Sequence, residues 1–292
     1  MVKWQQIHCH ITEADQAQLS DYFETEGAVS ITLSDAADQP VLEPLPGETP
    51  MWSTIILSAL FPIEQDVTAV LLGLQVLDAE IHTVKHELIE EQVWERAWMD
   101  DFQPMQFGER VWIYPSEFTL PNDDRVTIVL DPGLAFGTGT HPTTALCLTW
   151  LDQQPPNGLS VIDYGCGSGI LAIAAVKLGA HEVLATDIDE QALIATRDNQ
   201  QRNQIPAAQI QTYLPDDLPE QSVDVLIANI LAKPLLTLAE VFAQRLNPNG
   251  RLLLSGILAD QVEQILAAYQ TYFSDFEVAN REGWVSIAGR KR

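Results

Sequence analysis

The sequence predicts an α/β protein in which a smaller ferredoxin-like α+β domain precedes a doubly wound, mostly parallel seven-stranded sheet. Three observations predict it. From residue 158 onward, short runs of valine, isoleucine and leucine alternate with segments of helical periodicity, as in a parallel sheet covered on both faces. Before residue 90 the order reads strand, helix, strand, strand, helix, strand, the pattern of a split βαβ unit. The charge is also uneven: of a formal net −26, residues 1–100 carry −15 and residues 101–292 carry −11. A shift of this kind marks two parts with different partners. The reading is a domain over 1–89, a linker over 90–120 and a second domain over 121–292.

In the first part, Trp4–Ile11 reads as a strand and Glu13–Glu26 as a helix, with Leu19, Tyr22 and Phe23 at helical spacing and Gly27 closing it. Val29, Ile31 and Leu33 alternate with polar residues, as in a half-buried strand. A loop with Pro40, Pro44, Pro46, Gly47 and Pro50 follows. Ser53–Leu60 is an apolar strand. A helix from about Glu64 sets Val67, Val70, Leu71 and Leu74 on one face, and Ile81–Leu88 is the last strand. His8 and His10 share a strand face, but no third ligand is near enough in sequence to make a metal site. The connector holds a short helix over Glu91–Asp101 with Trp94 and Trp98, then Trp112 and Tyr114 on a strand. Such an aromatic stripe reads as a packing seam between domains, with a substrate groove as the alternative.

In the second part, the strands are Leu159–Asp163, Glu182–Asp187, Gln209–Tyr213, Val223–Ala228 and Arg251–Ser255. The helices between them are Ile170–Leu178, Glu190–Asn203, Leu235–Leu246 and Asp260–Tyr272. The tail adds two strands, Phe276–Ala279 and Gly283–Gly289, whose short link permits only an antiparallel hairpin.

Composition excludes several functions. An excess of 41 acids over 15 bases argues against a surface that tracks nucleic-acid phosphates or an anionic membrane. It suits a cationic partner steered by a negative field, or simply keeps the protein soluble. Three scattered cysteines, Cys9, Cys147 and Cys166, make a poor disulfide framework. With no signal-peptide pattern and no apolar run of membrane length, the expectation is a cytoplasmic protein with no membrane partner.

The chemistry-bearing stretch is Val161-Ile162-Asp163-Tyr164-Gly165-Cys166-Gly167-Ser168-Gly169-Ile170. An apolar strand ends in an acid, and a turn with glycine at every second position leads into a helix. Glycines there let backbone pass close beneath a ligand, at the strand end where doubly wound sheets bind nucleotides. A dinucleotide fingerprint wants glycine or alanine at position 170, which is isoleucine. A pyrophosphate would also sit badly beside Asp163, whereas a ligand bearing an ammonium and a sulfonium would not. The next strand ends at Asp187, 24 residues on, where a carboxylate accepts both ribose hydroxyls. Together these favour S-adenosylmethionine over a nicotinamide dinucleotide as cofactor. Cys166 inside the turn reads as a small buried thiol, not a nucleophile.

At these residues the chain resembles the class I S-adenosylmethionine-dependent methyltransferases over roughly 120–292. Two further segments narrow the resemblance. One is the run Leu130-Asp131-Pro132-Gly133-Leu134-Ala135-Phe136-Gly137-Thr138-Gly139-Thr140-His141-Pro142-Thr143-Thr144, and the other is Asn229-Ile230-Leu231. With the front domain and the tryptophan-bearing connector, the whole chain resembles the bacterial methyltransferases of ribosomal large-subunit protein eleven. That resemblance implies a seven-stranded methyltransferase sheet, and cofactor contacts at Thr144, Asp163, Gly165, Gly167, Gly169, Asp187 and Asn229. It implies an N-terminal substrate-recognition domain for a basic ribosomal protein. It also implies trimethylation of lysine ε-amino groups and of the terminal α-amino group. Asn229 stands at the methyl end as a candidate catalytic residue. His141 is placed either to accept the amine's proton, directly or through water, or to hydrogen-bond its own turn; no general base is assigned. Ile230-Leu231-Ala232 replace the Pro-Pro-Tyr that follows this asparagine in amide-directed enzymes, which fits a flexible amine better. Gly133, Gly137 and Gly139 would permit a flap over the site. Other readings keep the cofactor but change the acceptor to a glutamine amide or a small amine, or make the chain a non-catalytic cofactor-binding module of ribosome assembly.

Overall fold

The computed structural model describes residues 2–36, 52–90, 103–121, 123–130 and 141–292. The proline-rich loop, the helix expected over Glu91–Asp101 and the glycines at 133, 137 and 139 lie outside them. The chain divides into two compact units, Met1–Trp98 and Met99–Arg292.

The first unit contains β1 (Val2–Thr12), α1 (Gln16–Thr25), β2 (Ser30–Asp35), β3 (Thr54–Pro62), α2 (Thr68–Leu74) and β4 (Ile81–Glu90). Its strands lie in the order β2-β3-β1-β4, every neighbouring pair antiparallel. This is the split βαβ arrangement expected. Alternation decides the faces: Ile7, Cys9 and Ile11 of β1 and Ile55, Leu57, Ala59 and Phe61 of β3 bury against Leu19 and Phe23 of α1 and Val70 and Leu74 of α2. His8 turns to the other face, where Ser58 Oγ lies 2.8 Å from its Nδ1 and Glu87 Oε1 lies 3.0 Å from its Nε2.

The second unit opens with β5 (Met105–Phe107), β6 (Val111–Tyr114) and β7 (Val126–Val129), a three-stranded sheet. Trp112 and Tyr114 lie on β6, and Arg125 covers the Trp112 ring at 4.7 Å while donating to the Tyr114 hydroxyl at 2.9 Å. Next comes α3 (Pro142–Gln153), to which the hydrophobic pattern assigns no element. Eight of its twelve residues are buried, Thr143 to Leu148 without a break, so no polar stripe reveals its period. Phe107, Val111, Ile113 and Ile128 of the small sheet share a core with Cys147, Leu148 and Leu151 of α3.

The remaining elements are β8 (Ser160–Tyr164), α4 (Ile170–Lys177), β9 (Glu182–Thr186), α5 (Glu190–Arg202), β10 (Ile210–Tyr213), β11 (Val223–Asn229), α6 (Ala232–Arg245), β12 (Leu246–Leu258), α7 (Val262–Tyr269), β13 (Phe273–Arg281) and β14 (Trp284–Lys291). They match the expected alternation, except that β12 is far longer than Arg251–Ser255 and α7 shorter than Asp260–Tyr272. The sheet order is β10-β9-β8-β11-β12-β14-β13. All its neighbours are parallel except where β14 runs against β12 and β13. One face carries α3 and α4, the other α6 and α7, so β8 and β11 are buried on both sides and read as continuous apolar runs. Each fully buried valine, leucine or isoleucine contributes about 1.5–3 kcal/mol. Among the described residues, no helix is long and apolar enough to cross a membrane.

Candidate functional site

The strand order switches at β8, which has β9 on one side and β11 on the other, and the site lies at its carboxyl edge. Gly165, Gly167 and Gly169 adopt φ of 81°, 53° and 77°, a left-handed region that residues with a Cβ rarely enter. At Gly165 a Cβ would also overlap the side chain of Ile230, the residue after β11. The turn is held from below: the Gly165 and Cys166 amides donate to the Thr186 carbonyl at 2.7 and 3.0 Å. It is held from the side by α5, where Thr196 Oγ1 donates to the Gly167 carbonyl at 3.1 Å and Asn199 Nδ2 to the Ser168 carbonyl at 2.9 Å. Sequence reasoning missed these two supports. The available signal was a polar pair three residues apart on an otherwise buried helix face.

Asp163, at 1% exposure, sits inside this frame. Its Oδ2 accepts the Ala172 amide at 2.9 Å and so caps the first turn of α4. Its Oδ1 is buried without a hydrogen-bond partner. Burial raises its pKa to about 7, Asp187 adds to the shift, and the Ala172 amide opposes it. Asp187 follows β9 and is half-buried. Its Oδ2 accepts the Gly167 amide at 2.9 Å and its Oδ1 the Asp189 amide at 3.1 Å. The carboxylate thus orders the glycine turn and presents its outer lone pairs at the same edge. Ile188 beside it is 86% exposed. Cys166 is buried, with its thiol pKa raised by burial.

The third cluster joins α3 to β11 and β12. Asn229 Nδ2 lies 3.4 Å from Thr144 Oγ1. Ser255 Oγ, fully buried on β12, reaches the Thr143 carbonyl at 3.2 Å. Gly256 (φ 85°) passes so close to the Ile230 carbonyl that a Cβ would collide with backbone. His141 caps α3: its Nδ1 lies 2.8 Å from Thr143 Oγ1 and 3.4 Å from the Thr143 amide, so this nitrogen serves the turn. Burial lowers its pKa, with Glu282 opposing.

The structure therefore brings Asp163, Gly165, Gly167, Gly169 and Asp187 together around one turn, and Thr144 and Asn229 together at the end of β11, while His141 sits at the start of α3 against its own turn and Trp284. A seven-stranded sheet with one reversed strand, bearing an acid and a glycine turn on its first parallel strand, defines a class I methyltransferase fold. The model of the family described as Ribosomal protein L11 methyltransferase (PrmA) matches residues 3–292. Proteins named ribosomal protein L11 methyltransferase from Pseudomonas fluorescens (strain SBW25) and Pseudomonas aeruginosa (strain LESB58) are each 53% identical over 290 and 292 residues, covering 99% of both chains. A crystal structure of a ribosomal protein L11 methylase from Lactobacillus delbrueckii subsp. bulgaricus is similar at TM-score 0.58 and 37% identity, over 65% of this chain and 100% of that one. The chain belongs to the ribosomal protein L11 methyltransferase family, and it is an enzyme of the protein-methyltransferase kind.

Proposed function

We propose that the protein transfers methyl groups from S-adenosylmethionine to amines of a basic ribosomal protein, protein L11, trimethylating lysine ε-amino groups and the terminal α-amino group. The observation that carries the cofactor assignment is the unpartnered Oδ1 of Asp163 beneath the glycine turn. A buried carboxylate oxygen calls for a cation, which an aminoacid-bearing sulfonium ligand supplies and a pyrophosphate opposes. Asp163 and the Gly165, Gly167 and Gly169 turn hold the aminoacid portion, Asp187 the ribose hydroxyls, and the exposed Ile188 covers the base. Thr144 and Asn229 border the methyl end. When bound, the cofactor supplies an activated methyl with its leaving group already in place.

The chain's own residues then align and desolvate. An ammonium has no lone pair, so the amine must arrive neutral, and an apolar pocket lowers its pKa. Asn229 orients the amine, and no strong base is required. His141, with Nδ1 committed to its own turn, offers only Nε2 for proton passage. The N-terminal unit, acidic and lacking any lysine or arginine between Trp4 and Val84, docks the basic partner in the cytoplasm, with no nucleic acid involved.

Incubating the enzyme with purified ribosomal proteins and labelled S-adenosylmethionine, then mapping labelled residues, tests this reading. Label on protein L11 amines is the expected result. Label confined to glutamine amides or free small amines would overturn it.

A further inference from the structure

Beyond the glycine turn, the sheet presents the ends of β11, β12 and β14 in that spatial order. Asn229 ends β11, Ser255 lies near the end of β12, and Trp284 begins β14. Because β14 is antiparallel, its first residue shares an edge with their last ones. The link between β13 and β14 is tighter than the sequence indicated, only Glu282 and Gly283. Their φ of 54° and 82° match a two-residue mirror-image turn that sets Arg281 opposite Trp284. Leu258 flanks Trp284 on the other side. Along β14, Val285 and Ile287 enter the core with α6 and α7, while Ala288 joins the core with α3. Trp284 has the parity of Ala288 and therefore lies on the α3 side, as Asn229 does through Thr144. Its ring meets that of His141 edge-on, with centroids 4.8 Å apart at 68°. Ser255 Oγ, at 3.2 Å from the Thr143 carbonyl and 3.5 Å from the Val285 carbonyl, fastens the two segments together.

We propose that Trp284, with His141 edge-on to it, is the aromatic wall of the acceptor pocket and makes repeated methylation of one amine feasible. The inference rests on the amine-methylating reading above and names a specificity-determining residue within it. In each round the nitrogen lone pair forms the N–C bond as the S–C bond of the sulfonium breaks. The positive charge passes from sulfur, which leaves as a neutral thioether, to nitrogen, which sheds a proton to water before another round. An amine that returns has exchanged N–H donors for methyl groups, so a pocket built on hydrogen bonds to that nitrogen weakens each time. A π-face needs no N–H. It stabilises the positive charge that builds on nitrogen as the N–C bond forms, and does so in every round however many methyl groups the amine already carries.

The test compares Trp284→Leu and Trp284→Phe with the natural enzyme, using protein L11 and S-adenosylmethionine and reading intact mass. Trp284→Leu should stop at one or two methyl groups, with the trimethylated fraction down roughly tenfold, and Trp284→Phe should recover most of it. Cofactor affinity by calorimetry should be unchanged in both. Independently of activity, tetramethylammonium chloride should move the Trp284 indole resonance of ¹⁵N-labelled natural protein when equal sodium chloride does not. That arm decides even where Trp284→Leu fails to fold. Full trimethylation by Trp284→Leu, or an unmoved resonance, would overturn the proposal. A natural enzyme that methylates no amine of protein L11 would instead overturn the reading beneath it.

Discussion

Replacing Asp163 by asparagine should stabilise the unliganded protein at alkaline pH while weakening its grip on the cofactor. The carboxyl is 1% exposed and its pKa is raised to about 7, chiefly by burial, with Asp187 adding to the shift. In the unfolded chain it titrates near 3.9. Between these values the folded protein holds a proton that the unfolded chain has lost. Stability therefore falls as pH rises from about 4 to about 7 and is flat above. A shift of roughly three units amounts to about 4 kcal/mol at pH 8, of which about 2.6 kcal/mol develops between pH 5 and pH 8. The substituted side chain would keep an oxygen for the Ala172 amide and carry no charge. Its amide nitrogen, left without a partner, costs about 1–3 kcal/mol, but equally at every pH. The signal is thus the difference in Tm between variant and natural protein, measured at both pH values without cofactor. At about 2–4 °C per kcal/mol for a unit of this size, that difference should grow by roughly 5–10 °C in favour of the variant from pH 5 to pH 8. A difference that stays the same at both pH values would refute the buried, half-satisfied carboxylate.

Asp187→Ala removes both the proposed ribose contact and the Gly167 tether, and cofactor affinity should drop at least about 100-fold by calorimetry; unchanged affinity would sink the assignment. Gly256→Ala drives a Cβ onto the Ile230 carbonyl at φ 85°, so urea unfolding should show a loss of about 3 kcal/mol or more. His141→Ala should lower kcat less than about tenfold at pH 8, since the amine's proton passes to water, and cost about 1 kcal/mol as a lost cap. A drop of about a thousandfold would make His141 the base. Added salt should raise KM for the ribosomal protein and leave cofactor affinity alone, because screening weakens attraction to the acidic N-terminal unit; a salt-independent KM would reduce that charge to solubility.

What could be seen in the sequence follows distance along the chain. The glycine turn, Asp163 and Asp187 were legible because one strand–turn–helix and the next strand tip hold them all within 25 residues. The front sheet was legible because its helices are amphipathic and its strands alternate. Helix α3 was not, since a helix buried nearly all round has no stripe to betray it, although Pro142 at its first position was a start signal. Thr196 and Asn199 escaped because their partners lie on the glycine turn, 29 and 31 residues away, a pairing that only packing creates. Trp284 escaped for a stronger reason: nothing local says that a strand so far beyond Asn229 in sequence returns to the edge that holds it.

That return has a bearing on biosynthesis. β14 is inserted between β12 and β13, both of which precede it in sequence. Until β14 is made, β13 has no neighbour to pair with and β12 has an open edge. The sheet therefore closes only after β14 has left the ribosome, and the Ser255–Val285 fastening, the Trp284–His141 contact and the pairing of β13 all wait for that strand. A nascent chain, or one clipped ahead of β14, carries the glycine turn and Asn229 but leaves His141 without its Trp284 partner. The unclosed edge also makes such chains natural clients for holding chaperones.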